Sequence, residues 1–343
     1  MRMSNQNLRL PAEWETDCAI LMAWPHEDTD WSYMLDDAQN CCADIAQNIA
    51  KRHPVIIVAP DCGKAKEKLS DAQNIFFIEA ETNDTWTRDY GPITVETAGG
   101  YLPLDFCFNG WGMKFAACHD NLVTEKLFGK KLLGIRPCNH RDFVLEGGGI
   151  ESDGNGCLMT TSLCQFSPNR NAALDKERIE QRLLEFFGAE KVLWVNHGYL
   201  AGDDTDSHID TLARFAVNDT IVYVGCDDPA DEHFEELAAM EREIKEFTTV
   251  DGRKFNLVRL PMPDAIYDEN GERLPATYAN FLATPDTIYM PAYGQTRKDE
   301  LAARILNVAF EREVVAIDCR ALIRQHGSLH CATMQMPLQI LNT

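Results

Sequence analysis

Five short polar clusters recur along this chain, and most are followed by an extended run, a turn signal and a second β-rich run. Their markers, Asp89, Glu146, His208, Asn280 and Cys331, stand 57, 62, 72 and 51 residues apart. The stretches WTRDYGPITVETAGGYLPLDF, EGGGIESDGNGCLMTT, SHIDTLARFAVNDTIVYVG and TYANFLATPDTIYMPAYG read as hairpins turned at ETAGG, DGNG, NDT and TPDT. Those turns are rich in the Gly, Asn, Asp and Pro that hairpins favour. Helical patterns lie between them: Ile179, Leu183, Phe186 and Phe187, ended by Gly188; Phe234, Leu237, Ala238, Ile244 and Phe247; Leu301, Ile305 and Val308; and a shorter one, Leu122, Val123 and Leu127, ended by Gly129. A further strand is expected in PVIIVA, KVLWV, FNLVRL and VVAID. Near-equal units with a polar cluster at the same place in each predict an α/β closed ring of five ββαβ modules with a central site. An open doubly wound sheet fits less well, because a hairpin in every unit is not a purely parallel sheet and no G-x-G-x-x-G opens a helix.

No low-complexity tract divides the 343 residues, so residues 1–343 are expected to form one domain. The opening MRMSNQNLRLPAEWE has no apolar leader, and no run approaches the roughly 20 apolar residues that cross a bilayer. A cytoplasmic protein without membrane contact is the expectation. Twelve cysteines contain no C-x-x-C pair, so reduced thiols are expected, with neither a disulfide framework nor a structural metal. With 32 Lys and Arg against 54 Asp and Glu, the net charge of −22 repels nucleic acid and favours a cationic ligand.

The unit starts carry the candidate chemistry: Asp89 in WTRDYGP, Glu146 in LEGGG, His208 and Asp210 in SHID, and Cys331 in LHC. His208 and Asp210 are two apart in what reads as a strand, which puts both on one face as a base beside a carboxylate. H-x-D alone also occurs by chance on surfaces. Three successive glycines at 147–149 imply that something approaches the backbone closely, or else a bulge. DDTDSHID is no calcium loop, because the sixth and twelfth positions counted from Asp204 are Ile209 and Phe215 instead of Gly and Glu. Cys331, in a short strand bounded by Gly327, Ser328 and Pro337, is either a buried thiol or a nucleophile made reactive by its neighbours. Three carboxylates, an imidazole and a thiol suit a planar cation with an electrophilic carbon, a guanidinium.

These motifs, with LPAEWE, MAWPHEDTDW, NGWGMKF, YANF, PAYG and GSLHCATMQMP in order along nearly the whole chain, resemble the agmatine deiminases of the guanidine-modifying superfamily. The resemblance implies a five-bladed, pseudo-symmetric α/β-propeller of ββαβ units (the pentein fold), a small guanidino substrate, and neither metal nor cofactor. It implies Cys331 as nucleophile and His208 as general acid and base, with Asp89 and Asp210 holding the guanidinium beside Glu146. It implies Trp86 as a wall of the pocket and Asp204 facing the amine tail. The reaction implied is hydrolysis of agmatine to N-carbamoylputrescine and ammonia. Two departures, His326-Gly327-Ser328 before the cysteine and Met334-Gln335 after it, bear on substrate preference. Arginine or peptidyl-arginine deimination, amidino transfer and a non-catalytic polyamine-binding propeller stay open as alternatives, as does a homo-oligomer.

Overall fold

A computed structural model describes residues 8–342. The amino-terminal leader question falls partly on residues 1–7, outside the described residues. Among the described residues no helix is long and apolar enough to cross a membrane.

The described residues form five small mixed sheets. The first contains β1 (Cys18–Ala23), β2 (Val55–Ala59) and β3 (Ile75–Glu79), all parallel. Four more sheets repeat one pattern, an antiparallel hairpin followed by a helical segment and a parallel third strand. They are β4 (Ile93–Thr97), β5 (Gly100–Cys107) and β6 (Cys138–Val144); β7 (Ile150–Ser152), β8 (Cys157–Thr161) and β9 (Lys191–Val195); β10 (Ala213–Ala216), β11 (Thr220–Gly225) and β12 (Asn256–Pro261); and β13 (Leu282–Ala283), β14 (Thr287–Ala292) and β15 (Glu313–Asp318). The last strand, β16 (Met334–Pro337), runs antiparallel to β1, with Cys18 opposite Pro337. The first sheet therefore takes its hairpin partner from the far end of the chain.

Local chemistry accounts for these elements. Asn218 and Asp219 both take positive φ at the turn between β10 and β11, the conformation that Asn and Asp tolerate best. The helix Lys176–Phe187 begins where the Asp175 side chain accepts the Arg178 backbone N–H at 2.9 Å, and it ends at Gly188 in the left-handed region. It buries Ile179, Leu183, Phe186 and Phe187, the face its spacing predicts.

Other expectations need correction. The helix Thr296–Phe310 buries Ala302, Leu306, Ala309 and Phe310, whereas Leu301 and Val308 are 41% and 76% exposed. Its small alanines, which let it lie close to the sheet, conceal the packed face from a search for large apolar residues. The helix Val123–Gly129 does end at Gly129, but the left-handed residue beyond it is Lys131 and not the glycine. His208 and Asp210 are not in a strand: Ile209–Thr211 is a 3₁₀ turn. Asp203 accepts the backbone N–H groups of Thr205 and Ser207, and Thr205 Oγ1 accepts that of His208 at 3.1 Å, so side chains have taken the donors a ladder needs. Cys331 likewise sits in a turn before β16, where Ala332 N–H reaches Ser328 O and Thr333 N–H reaches His330 O.

Candidate active site

The chain segments that precede or follow the hairpins deliver the polar side chains to one place. Asp89 comes from the single helical turn Thr87–Tyr90, Glu146 from the residue before the 3₁₀ turn Gly147–Gly149, Asp210 from the turn before β10, Asn280 from the segment before β13, and Cys331 from the turn before β16. All are buried. The glycine run explains how they fit together. A Cβ on Gly148 would lie 2.7 Å from His208 Nδ1, 2.9 Å from Asp89 Oδ1 and 3.0 Å from Asp210 Oδ2, and one on Gly147 would strike the Arg88 carbonyl at 2.2 Å. Three side chains and a neighbouring backbone occupy the space that any other residue would fill.

His208 stands between two carboxylates, Nδ1 3.7 Å from Asp89 Oδ1 and Nε2 3.5 Å from Glu146 Oε2, and neither ring nitrogen has a hydrogen-bond partner. Burial opposes a charged ring, but Asp89, the Cys164 sulfur and Glu146 outweigh it and raise its pKa well above the ordinary histidine value. Burial likewise pushes Glu146 upward, yet His208 and Arg170 hold it below the usual carboxylate range. Asp89 goes the other way: burial, with Asp210 and Glu146 nearby, raises it against the pull of His208. Asp210 is held low despite burial, because His330 donates to its Oδ2 at 2.7 Å.

The Cys331 thiol lies 3.2 Å from Asn280 Nδ2 and 3.9 Å from Asp210 Oδ2. Burial and the charges of Asp210 and Asp89 raise its pKa well above that of a free thiol. The thiolate is the reactive form, and a cation entering beside the sulfur favours it.

Cys331 opens into a cavity lined by Asp89, Trp86, Trp111 and Phe115 and by Asp30, Asp84, Asp204 and His326. No lysine or arginine lines it. Burial and neighbouring Asp203 push the Asp204 carboxyl up to about 6, against the pull of His326 and Lys114. A larger opening holds Glu13, Arg88, Glu151, His330 and Cys18. The smaller cavity is the better candidate for chemistry, because Cys331, Asp89 and Trp86 line it and none of them lines the larger opening.

A family model described as Porphyromonas-type peptidyl-arginine deiminase matches residues 9–337. The chain belongs to that family. It is 34% identical over 333 residues to a Legionella pneumophila protein provisionally named agmatine deiminase, covering 96% of this chain and 94% of the relative. C. jejuni agmatine deiminase with substrate bound, in a cysteine-to-serine variant, is 36% identical with a TM-score of 0.92, covering 98% of this chain and 99% of that one. A structure from Porphyromonas gingivalis, provisionally named arginine deiminase, is 47% identical with a TM-score of 0.91, covering 98% and 100%.

In this member of the Porphyromonas-type peptidyl-arginine deiminase family, four further side chains support the cluster. Arg170 Nε contacts both Glu146 oxygens, at 3.0 and 2.8 Å, and its Nη1 reaches Asp206 at 2.5 Å. Trp111 Nε1 donates to Asp89 Oδ2 at 2.9 Å from a loop in which Gly110, Trp111, Gly112 and Met113 all have positive φ. Asn280 served in the sequence only as a repeat marker, and His330 only as the neighbour of Cys331. Nothing local in the sequence singles out Arg170, whose role rests on contacts 24 and 36 residues away. Glu146, Cys164 and His208 form the one metal-competent trio among the described residues, but the Arg170 guanidinium on Glu146 opposes a cation there.

Proposed function

We propose that this chain hydrolyses agmatine to N-carbamoylputrescine and ammonia through a covalent amidino-Cys331 intermediate. The observation that carries the reading is the cavity itself, in which the Cys331 thiol and Asp89 meet Asp30, Asp84 and Asp204 and His326 is the one basic side chain in the lining, while His208 stands behind Asp89. Agmatine is cationic at both ends and lacks a carboxylate, whereas free arginine needs a cation for its own. Lys114, which contacts the segment that carries Asp204, already donates to Asp204 O at 2.5 Å and Asp206 Oδ1 at 2.8 Å. The match to a C. jejuni agmatine deiminase structure holding its substrate supports the same reading.

The guanidinium sits with its nitrogens on Asp89 and Asp210 and Trp86 as a wall, which makes the sulfur's attack effectively unimolecular. Its positive charge stabilises the Cys331 thiolate, and the thiol proton leaves to solvent. The thiolate attacks the guanidinium carbon, giving a neutral tetrahedral adduct. His208, charged because Asp89 and Glu146 flank it, protonates one amino group, and the C–N bond breaks to release ammonia. The now neutral His208 takes a proton from water, which attacks the amidino carbon. The C–S bond then breaks, the hydroxyl proton passes to the departing sulfur to restore the thiol, and the neutral ureido product forms. We further propose that residues 1–343 form a single catalytic domain, the five sheets being blades of a pseudo-symmetric propeller about this site.

Assaying ammonia from agmatine, arginine and an arginyl peptide tests the assignment. Agmatine is expected to give the highest kcat/KM, and a preference for either alternative would replace it as substrate. Release of no ammonia from any of the three would favour a polyamine-binding role.

A further inference from the structure

Behind Asp210 lies a buried cluster of charge that the reaction scheme does not use. His330 is 1% exposed, and each ring nitrogen faces a carboxylate: Nδ1 is 2.7 Å from Asp210 Oδ2 and Nε2 is 2.7 Å from Glu13 Oε2. Glu13 reaches this point from the 3₁₀ turn Glu13–Glu15 near the start of the chain, where its Oε1 accepts the Ala283 backbone N–H at 2.7 Å. Arg88 Nη1 lies 3.3 Å and Arg214 Nη2 3.2 Å from Glu13 Oε2, and Arg214 Nε donates to Glu151 Oε2 at 2.8 Å.

The groups facing His330 are thus Asp210, Glu13, Glu151, Arg88 and Arg214. Three carboxylates against two guanidiniums leave one negative charge unbalanced, and buried charge is tolerated only when paired. A carboxylate oxygen only accepts, so two short contacts to carboxylates require both ring nitrogens to donate. An imidazolium meets both requirements at once. Asp210 Oδ2 receives His330 at 2.7 Å and Asn280 Nδ2 at 3.1 Å, whereas its Oδ1 is buried without any partner.

We propose that His330 is a positioning residue, an imidazolium clamped between Glu13 and Asp210, that locks Asp210 with its free Oδ1 presented to the substrate guanidinium. Glu13 acts through it. The substrate half of this proposal rests on the deiminase reading above; the protonation of His330 does not.

The test pairs spectroscopy with kinetics. In the full-length protein labelled with ¹⁵N-histidine, His330 should show two slowly exchanging ring N–H signals at neutral pH, both absent in His330→Gln. A single ring N–H would overturn the proposal. Glu13→Gln keeps the shape of the side chain and removes one of the two counter-ions. It should raise KM for agmatine at least tenfold with a smaller loss in kcat. A merely structural Glu13 would lower the melting temperature and leave KM as in the wild type, and that result would also overturn the proposal. If the variant does not fold, the signal count in the wild type still decides. Wild-type protein inert toward agmatine would sink the proposed reaction, while the same signal count judged His330 separately.

Discussion

Asn280 holds Cys331 through both ends of one amide: Nδ2 lies 3.2 Å from the sulfur, and Oδ1 accepts the Cys331 backbone N–H at 3.3 Å. The donor counters the carboxylates that push the thiol pKa upward. A hydrogen bond to a charged group is worth about 1.5–3 kcal/mol. Asn280→Ala should therefore cost roughly 10- to 100-fold in kcat/KM for agmatine. It should also move the alkylation of Cys331 by iodoacetamide to higher pH. Unchanged kinetics would mean that Asn280 only shapes the turn.

Cys331→Ser should leave the fold intact and lower turnover by several powers of ten, because an alcohol is a far weaker nucleophile at neutral pH. Cys41→Ser is the control, since its thiol merely donates to Asp318 O at 3.2 Å and a hydroxyl can do the same. Mass spectrometry of enzyme quenched during turnover should find the amidino group on Cys331. An adduct on another residue would refute the covalent route as drawn.

Gly327→Ala probes the wall of the cavity. A Cβ there would lie 2.3–2.8 Å from atoms of the Trp86 ring, which also packs at 5.7 Å against Trp31 and has little room to yield. Overpacking of this kind typically costs 1–3 kcal/mol. The expected result is a KM for agmatine raised roughly tenfold or more, with a melting temperature lowered by a few degrees. A wild-type KM would show that Trp86 does not border the bound substrate.

Much of the architecture was legible because the turns are written locally. ETAGG, DGNG, NDT and TPDT each mark the bend of a real hairpin. The pairing of β1 with β16 was not, since its two halves lie at opposite ends of the chain and neither contains the turn that would announce it. The SHID stretch misled in another way. Its apolar and polar alternation imitates a strand, but Asp203 and Thr205 capture the backbone donors first. The repeat positions, the H-x-D pair and the family resemblance together brought Asp89, Glu146, His208, Asp210 and Cys331 under suspicion, and the structure gathers Asp89, His208 and Asp210 around Gly148, with Glu146 beside His208 and Cys331 on Asn280. Glu13, Arg170 and His330 escaped because each matters through contacts across long sequence separations, which a linear reading cannot display.

The tail of the substrate offers the sharpest test of specificity. Asp204 lines the cavity, and burial beside Asp203 pushes its carboxyl up to about 6. A carboxylate must be ionised to attract agmatine's ammonium. Below that pKa it is a neutral acid, so kcat/KM for agmatine should rise as pH increases through about 6. Asp204→Asn keeps the size of the side chain and removes the charge. A charge-assisted contact is worth about 1.5–3 kcal/mol, so KM should rise roughly 10- to 100-fold at pH 8 and the rise through pH 6 should flatten. Methylguanidine, which has no tail to bind, should be turned over by wild type and variant at nearly equal rates. Equal, small effects on both substrates would make Asp204 a solvated loop residue. The anionic cavity would then need another reason to select agmatine over arginine.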